Sequence, residues 1–229
     1  MNKPLVIIPA FNEETVILNV IGDLKSNGYD DILVVNDAST DNTLAMLPND
    51  IKVISLPYNL GAWKATQTGI RYAYQCGYEQ IITFDADGQH LAKTLNKLLA
   101  EHDKKQFDLV IGACLSRGSI ARKIAWHVFR KISGVQVRDL TSGLRVYNRK
   151  AMKVLSGKAA SLLEYQDVGV LLLLKNNAIS KVELDVDMQL RKNGISRIFN
   201  SWGAVLYYMA YTTTLCLSKL FKAKKLEEE

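Results

Sequence analysis

The chain has 229 residues, of which 48% are hydrophobic and 23% charged. That is enough apolar material for one large packed domain, and it excludes disordered, collagen-like and low-complexity chains. Lys and Arg number 29 against 23 Asp and Glu, a net charge of +6, which suits an anionic partner (a nucleotide, a phospholipid surface or a nucleic acid) without choosing among them.

Short apolar runs alternate with helical patterns along the chain. Strands are expected at 5–8, 32–35, 53–56, 80–84 and 109–113. They are rich in Val and Ile with little polar alternation, as strands buried on both faces are. Helical spacing is read at 13–27, 40–47, 61–76 and 91–104, and this βαβα order implies a parallel sheet flanked by helices. After Ser116 the pattern weakens, with a helix expected at about 164–175 and a further strand at 181–186. No internal repeat or Gly/Ser linker divides residues 1–197, which are read as one α/β domain.

Residues 198–218 carry no charged side chain but include Trp202, Tyr207, Tyr208 and Tyr211. Arg191, Lys192 and Arg197 precede them, and Lys219, Lys222, Lys224 and Lys225 follow. A membrane-spanning helix needs about 20 mostly apolar residues; this segment is barely long enough and rather polar, whereas its aromatic and lysine content suits a membrane interface. Two uses stand open for 198–218, within a 198–229 segment that ends in a charged tail: an amphipathic interface helix, or a helix packed in the core or in a homo-oligomer; a true membrane span stands behind both. Met-Asn-Lys-Pro runs straight into the first strand, so no secretory signal is expected and the default location faces the cytosol. Cys76, Cys114 and Cys216 are far apart with no CxxC, and His90, His102 and His127 show no metal-ligand spacing, so neither disulfides nor a zinc site is expected.

In open α/β sheets, ligands bind beyond the carboxyl ends of the strands. The segments found there are Pro9-Ala10-Phe11-Asn12-Glu13-Glu14, Asn36-Asp37-Ala38-Ser39-Thr40-Asp41, Pro57-Tyr58-Asn59-Leu60-Gly61 and Asp85-Ala86-Asp87-Gly88-Gln89-His90. All four are polar, and three carry carboxylates. Residues i and i+2 of an extended chain point to one side, so Asp85 and Asp87 aim two carboxylates at one point. Such a pair repels unless a cation lies between, and Mg²⁺ or Mn²⁺ is commonly held by one or two carboxylates plus substrate phosphates. Gly88 permits a sharp turn, and Gln89 or His90 is placed to add a ligand; a solvated acidic turn is the plainer alternative. Asp37 is expected to accept hydrogen bonds from a base or ribose, with Ser39, Thr40 and Asp41 structural. Neither GxGxxG nor GxxxxGK[ST] is present, which weakens dinucleotide and P-loop readings.

These four segments, in this order, resemble the family 2 glycosyltransferases of GT-A fold, and within them the dolichyl-phosphate mannose synthase and bacterial polyprenyl-phosphate glycosyltransferase branch. Asp139-Leu140-Thr141-Ser142-Gly143-Leu144-Arg145 is similar to that branch's acceptor-side signature, and the resemblance covers about residues 4–197. It implies a Rossmann-like, mostly parallel sheet. It implies that Pro9, Phe11, Glu13 and Asp37 line the pocket of a UDP- or GDP-linked sugar together with Asp85, Ala86 and Asp87, and that Asp85, Asp87 and Gln89 hold Mg²⁺ or Mn²⁺. Arg117 falls where the branch often has a cation near the donor phosphates; Ser142, Arg145 and Arg191 fall on the acceptor side. Two departures stand out: Asn36-Asp37 replaces an acidic pair, and Phe11 stands where Tyr is common.

The implied reaction is inverting transfer from the nucleotide sugar. The diphosphate leaves as a stabilised anion and needs no general acid, while Arg117 and the metal, which Asp87 helps to hold, offset its charge. A polyprenyl phosphate acceptor is already an anion and needs positioning rather than a base; a glycan hydroxyl needs one, and Asp139 is the candidate. The basic run Arg117, Arg122, Lys123, Arg130, Lys131, Arg138 and Arg145, with the C-terminal segment at the membrane surface, favours the anionic acceptor. A nucleic-acid module is not expected, because the strand ends are acidic.

Overall fold

The computed structural model describes residues 3–114, 120–189 and 202–217. Among them the strands are β1 (Leu5–Ala10), β2 (Ile32–Asn36), β3 (Lys52–Ser55), β4 (Gln80–Thr83), β5 (Leu109–Ala113), β6 (Arg145–Asn148) and β7 (Lys181–Asp185). They form one sheet in the order β3-β2-β1-β4-β6-β5-β7. Pairing is parallel except for β6, which lies antiparallel to both β4 and β5. The helices are α1 (Ile17–Ser26), α2 (Ala62–Gln75), α3 (Leu95–Lys105), α4 (Ile120–Ser133), α5 (Arg149–Ser156), α6 (Lys158–Ser161), α7 (Val168–Asn176) and α8 (Trp202–Leu217).

The period-2 geometry of a strand explains why β1 and β2 are apolar at every position. Leu5, Ile7, Leu33 and Val35 face a layer containing Trp63 and Ile70 of α2 and much of α5 and α7. Val6, Ile8, Ile32 and Val34 face the opposite layer with Ile17, Ile21 and Leu24 of α1.

Three differences from the expected pattern concern the site. The first helix starts at Ile17 rather than near residue 13, leaving residues 11–14 in a loop. Residues 40–47 form successive turns instead of a helix. Between α4 and α7 the chain adds β6 and α5, with Asn148 capping α5 by accepting a hydrogen bond from the Ala151 amide.

Both uses foreseen for the C-terminal segment bear on α8. It packs on α4 and α7, burying Tyr208 and Thr212 while Leu206, Tyr207 and Leu217 are exposed. On α4, Trp126 and Phe129 are buried and Val128 and Ile132 exposed. Among the described residues, no helix is long and apolar enough to cross a membrane.

Candidate active site

β1, β2 and β4 are neighbours and run parallel, so the loops after them share one edge. The first two loops are stitched together. Asn12 adopts φ 53° and its Oδ1 accepts from the Thr40 amide at 2.7 Å, while its own amide donates to Ser39 Oγ at 3.0 Å. The Glu13 amide donates to Thr43 Oγ1 at 2.7 Å, the Glu14 amide to Asp41 at 3.2 Å, and the Asn42 amide returns to Glu14 Oε2 at 2.9 Å. Desolvation pushes the Asp41 carboxyl up, but bonds from Thr43 and the Glu14 amide outweigh it and hold the group below its ordinary value. Ser39, Thr40 and Asp41 lock two loops rather than cap a helix. Pro9, Phe11 and Glu13 stand in this assembly, each half-buried.

Asp37 is placed differently from the expectation. It is buried, and its two oxygens accept from the amides of Leu60 at 2.7 Å and Gly61 at 2.8 Å. Gly61 adopts φ 89° at the start of α2, a backbone state suited to glycine. The carboxylate therefore staples the loop after β3 to the end of β2.

After β4, the Asp85 carboxylate lies against Gly143, where a Cβ would overlap both its oxygens. Its Oδ2 is 3.1 Å from His90 Nε2. Asp87 Oδ1 accepts from the Gln89 amide at 3.1 Å across a turn in which Gly88 has φ 71°. Ala86 is buried between them. The Gln89 carbonyl accepts from the Gln189 amide at 2.8 Å, and Gln89 Nε2 donates to the Gln189 carbonyl at 3.4 Å, so this loop is pinned to residues 188–189. Among the described residues, no group of three or more His, Cys, Asp or Glu side chains is clustered to hold a metal. The chain offers two hard carboxylates, Asp85 and Asp87. That donor set fits Mg²⁺ or Mn²⁺ completing its shell with phosphate and water, and does not fit an all-protein cage.

On the acceptor side, Asp139, Ser142 and Arg145 all lie in the interior. Asp139 is fully buried; Oδ2 accepts from the Cys114 amide at 3.2 Å and Oδ1 from the amide and hydroxyl of Thr141. A carboxylate so enclosed shapes the turn and is not presented as a base to an acceptor hydroxyl. Ser142 is buried and donates to the Gly112 carbonyl at 2.5 Å. Arg145, also fully buried, donates to the carbonyls of Ser142 at 2.9 Å and Gln166 at 2.8 Å. Its charge also lies near Asp167, whose carboxyl burial holds above its ordinary value although the Arg145 charge and the Gly169 and Val168 amides pull it down. Arg145 thus braces the interior. Arg117 and Arg191 lie outside the described residues.

Several residues of this framework escaped the sequence reading: Asn12 and Thr43, which lock the two loops, Gly143, which seats Asp85, and Glu183, whose carboxylate accepts from the Arg138 and Asp139 amides. Asn12 alone carried a local signal, since Asn is among the residues that tolerate positive φ.

A mostly parallel sheet with acidic loops gathered past its carboxyl edge is the architecture of GT-A glycosyltransferases. The family model for glycosyl transferase family 2 matches residues 5–160, and the chain belongs to that family. It is 30% identical over 210 residues, 79% of this chain and 83% of the relative, to a UDP-N-acetylglucosamine–dolichyl-phosphate N-acetylglucosaminyltransferase of Methanococcus voltae. It is 28% identical over 218 residues, 87% of this chain and 82% of the relative, to the polyprenol monophosphomannose synthase of Mycolicibacterium smegmatis. Its fold is similar to that of glucosyl-3-phosphoglycerate synthase from Mycobacterium tuberculosis, solved with Mn²⁺ and UDP-glucose, with a TM-score of 0.67 at 19% identity, covering 94% of this chain and 79% of that one.

Proposed function

We propose that this glycosyltransferase moves a sugar, with inversion, from a UDP- or GDP-linked donor to a polyprenyl phosphate at the cytoplasmic face of a membrane. The observation that carries the reading is the enclosure of Asp139, with both oxygens hydrogen-bonded. A glycan hydroxyl would require a base; a lipid phosphate brings its own anionic nucleophile and requires only alignment with the anomeric carbon. The names of the relatives from Methanococcus voltae and Mycolicibacterium smegmatis, which specify dolichyl phosphate and polyprenol, favour the same acceptor class.

In this reading the interlocked loops bearing Phe11, Glu13 and Asn12 and the stapled loop at Leu60 and Gly61 form the nucleotide pocket. Asp85 and Asp87 hold the divalent cation, with Gln89 beside them. A bound cation offsets charge on the departing diphosphate. Arg117 serves the donor phosphates, and Arg191 the acceptor phosphate in place of the enclosed Arg145. The exposed apolar residues of α4 and α8 face the lipid.

The test is a product screen with UDP-, GDP- and dTDP-sugars, Mg²⁺ or Mn²⁺, and undecaprenyl phosphate against a soluble glycan. Sugar recovered on the lipid phosphate is the expected outcome; transfer only to the glycan hydroxyl overturns the reading.

A further inference from the structure

We infer that His90 is a positioning residue for Asp85: its imidazole donates a hydrogen bond that fixes the carboxylate for cation and diphosphate binding, and it is not itself a metal ligand. The inference rests on the proposed metal role of Asp85 and Asp87.

The geometry is specific. The His90 side chain is 0% exposed while that of Asp85 is 35% exposed, so the pair spans the boundary between core and surface. His90 Nε2 lies 3.1 Å from Asp85 Oδ2. Its other nitrogen, Nδ1, is buried and, among the described residues, without a hydrogen-bond partner. A proton on Nδ1 would be a stranded buried donor, which is costly, whereas a bare Nδ1 is a tolerable unfilled acceptor. The proton is therefore assigned to Nε2, where it is donated to Asp85. The ring is held from behind by Phe84, whose centroid is 5.6 Å away in an edge arrangement. Its backbone is held by the bridge to Met188. With Nε2 engaged by the carboxylate and Nδ1 shut in the core, neither nitrogen is presented to an ion in the cleft.

The opposite side of Asp85 is fixed by Gly143, which leaves no room for a Cβ. The Gly143 carbonyl accepts from Thr83 Oγ1 at 2.6 Å, tying it to the end of β4. Asp85 is thus set by a directional bond on one side and a steric wall on the other. Partners of metal-binding groups in such outer positions typically alter metal affinity by about 10- to 100-fold when removed.

His90→Gln and His90→Asn separate the roles, because glutamine can place an amide nitrogen near the Nε2 position and asparagine cannot. Mn²⁺ binding to the full chain is measured by electron paramagnetic resonance with UDP or GDP, whichever the wild type takes, alongside thermal melting. His90→Asn is expected to weaken Mn²⁺ binding by about 10-fold or more, with transfer activity recovering as Mn²⁺ is raised. His90→Gln is expected to stay near wild type. Equal Mn²⁺ affinity in wild type, His90→Asn and His90→Gln overturns the inference alone, as does an equal loss in both variants. Wild-type protein that binds nucleotide but no Mn²⁺ overturns the metal reading and this inference with it. Gly143→Ala, which attacks the same carboxylate from the other side, is expected to weaken Mn²⁺ binding in the same manner; unchanged binding there counts against the two-sided clamp.

Discussion

Asp37 is a strand-end carboxylate that joins two loop segments from within the fold. Its two amide partners lie 23 and 24 residues downstream, at Leu60 and Gly61, and hydrogen bonds to a charged group contribute about 1.5–3 kcal/mol each. Asp37→Ala should therefore lower stability by about 3 kcal/mol or more and raise KM for the nucleotide sugar more than it lowers kcat; chemical denaturation and steady-state kinetics check this, and wild-type stability would contradict it. The importance of Asp37 was legible because an acidic residue closes an apolar strand. Its partner was not, since the path that brings Leu60 back to β2 is decided by packing of α2. The burial of Arg145 and Asp139 was not legible for a related reason. A charged residue in a polar segment reads as a surface group, and only the fold reveals that each has enough internal partners to be buried.

Elements repeat the lesson at larger size. β1, β2, β4 and β5 were plain in the sequence because strands buried on both faces are continuously apolar. β6 is equally buried but reads Arg-Val-Tyr-Asn, and its antiparallel place between β4 and β5 breaks the βαβ rule that organised everything before it. The turns at 40–47 carry apolar spacing that suits a helix, yet the loop's polar groups are taken by residues 12–14. Asp108, just ahead of β5, ties this half of the sheet together by accepting from the Ser180 amide, Asn148 Nδ2 and Lys150 Nζ at 2.8, 2.8 and 2.9 Å. Desolvation pushes its carboxyl up, but these bonds dominate and depress it to about 2. An unfolded Asp titrates near ~3.9, so the stability Asp108 contributes is present above about pH 4 and is lost as pH falls toward 2. Acid unfolding of Asp108→Asn should be flatter than wild type across that window, from a lower starting stability at neutral pH; parallel curves would contradict the role.

At the scale of the whole molecule, the α4–α8 layer packs beside α7. α8 is fastened by tyrosines: Tyr207 donates to Glu164 at 3.0 Å, Tyr211 accepts from the Glu164 amide at 3.1 Å, and the Tyr208 ring packs edge-on against Phe129 and Tyr165. These bonds join α8 to the segment that also receives Arg145 at Gln166. Fixed in this way, α8 turns Leu206 and Leu217 outward, 69% and 66% exposed. Leu206→Glu with Leu217→Glu should reduce co-sedimentation with anionic liposomes and slow transfer to membrane-embedded acceptor, while leaving Mn²⁺ and nucleotide binding intact; unchanged liposome binding would show that this face serves another contact.

The central claim is that Asp85 and Asp87 hold the cation on which departure of the diphosphate depends. Its most direct measurement is transfer from the preferred nucleotide sugar to undecaprenyl phosphate by wild type and Asp87→Ala, each with Mn²⁺ and with chelator. The account predicts lipid-linked sugar from wild type with Mn²⁺ alone, and a loss of at least about 100-fold in Asp87→Ala. Equal turnover by the two proteins, or full activity of wild type under chelation, would contradict it.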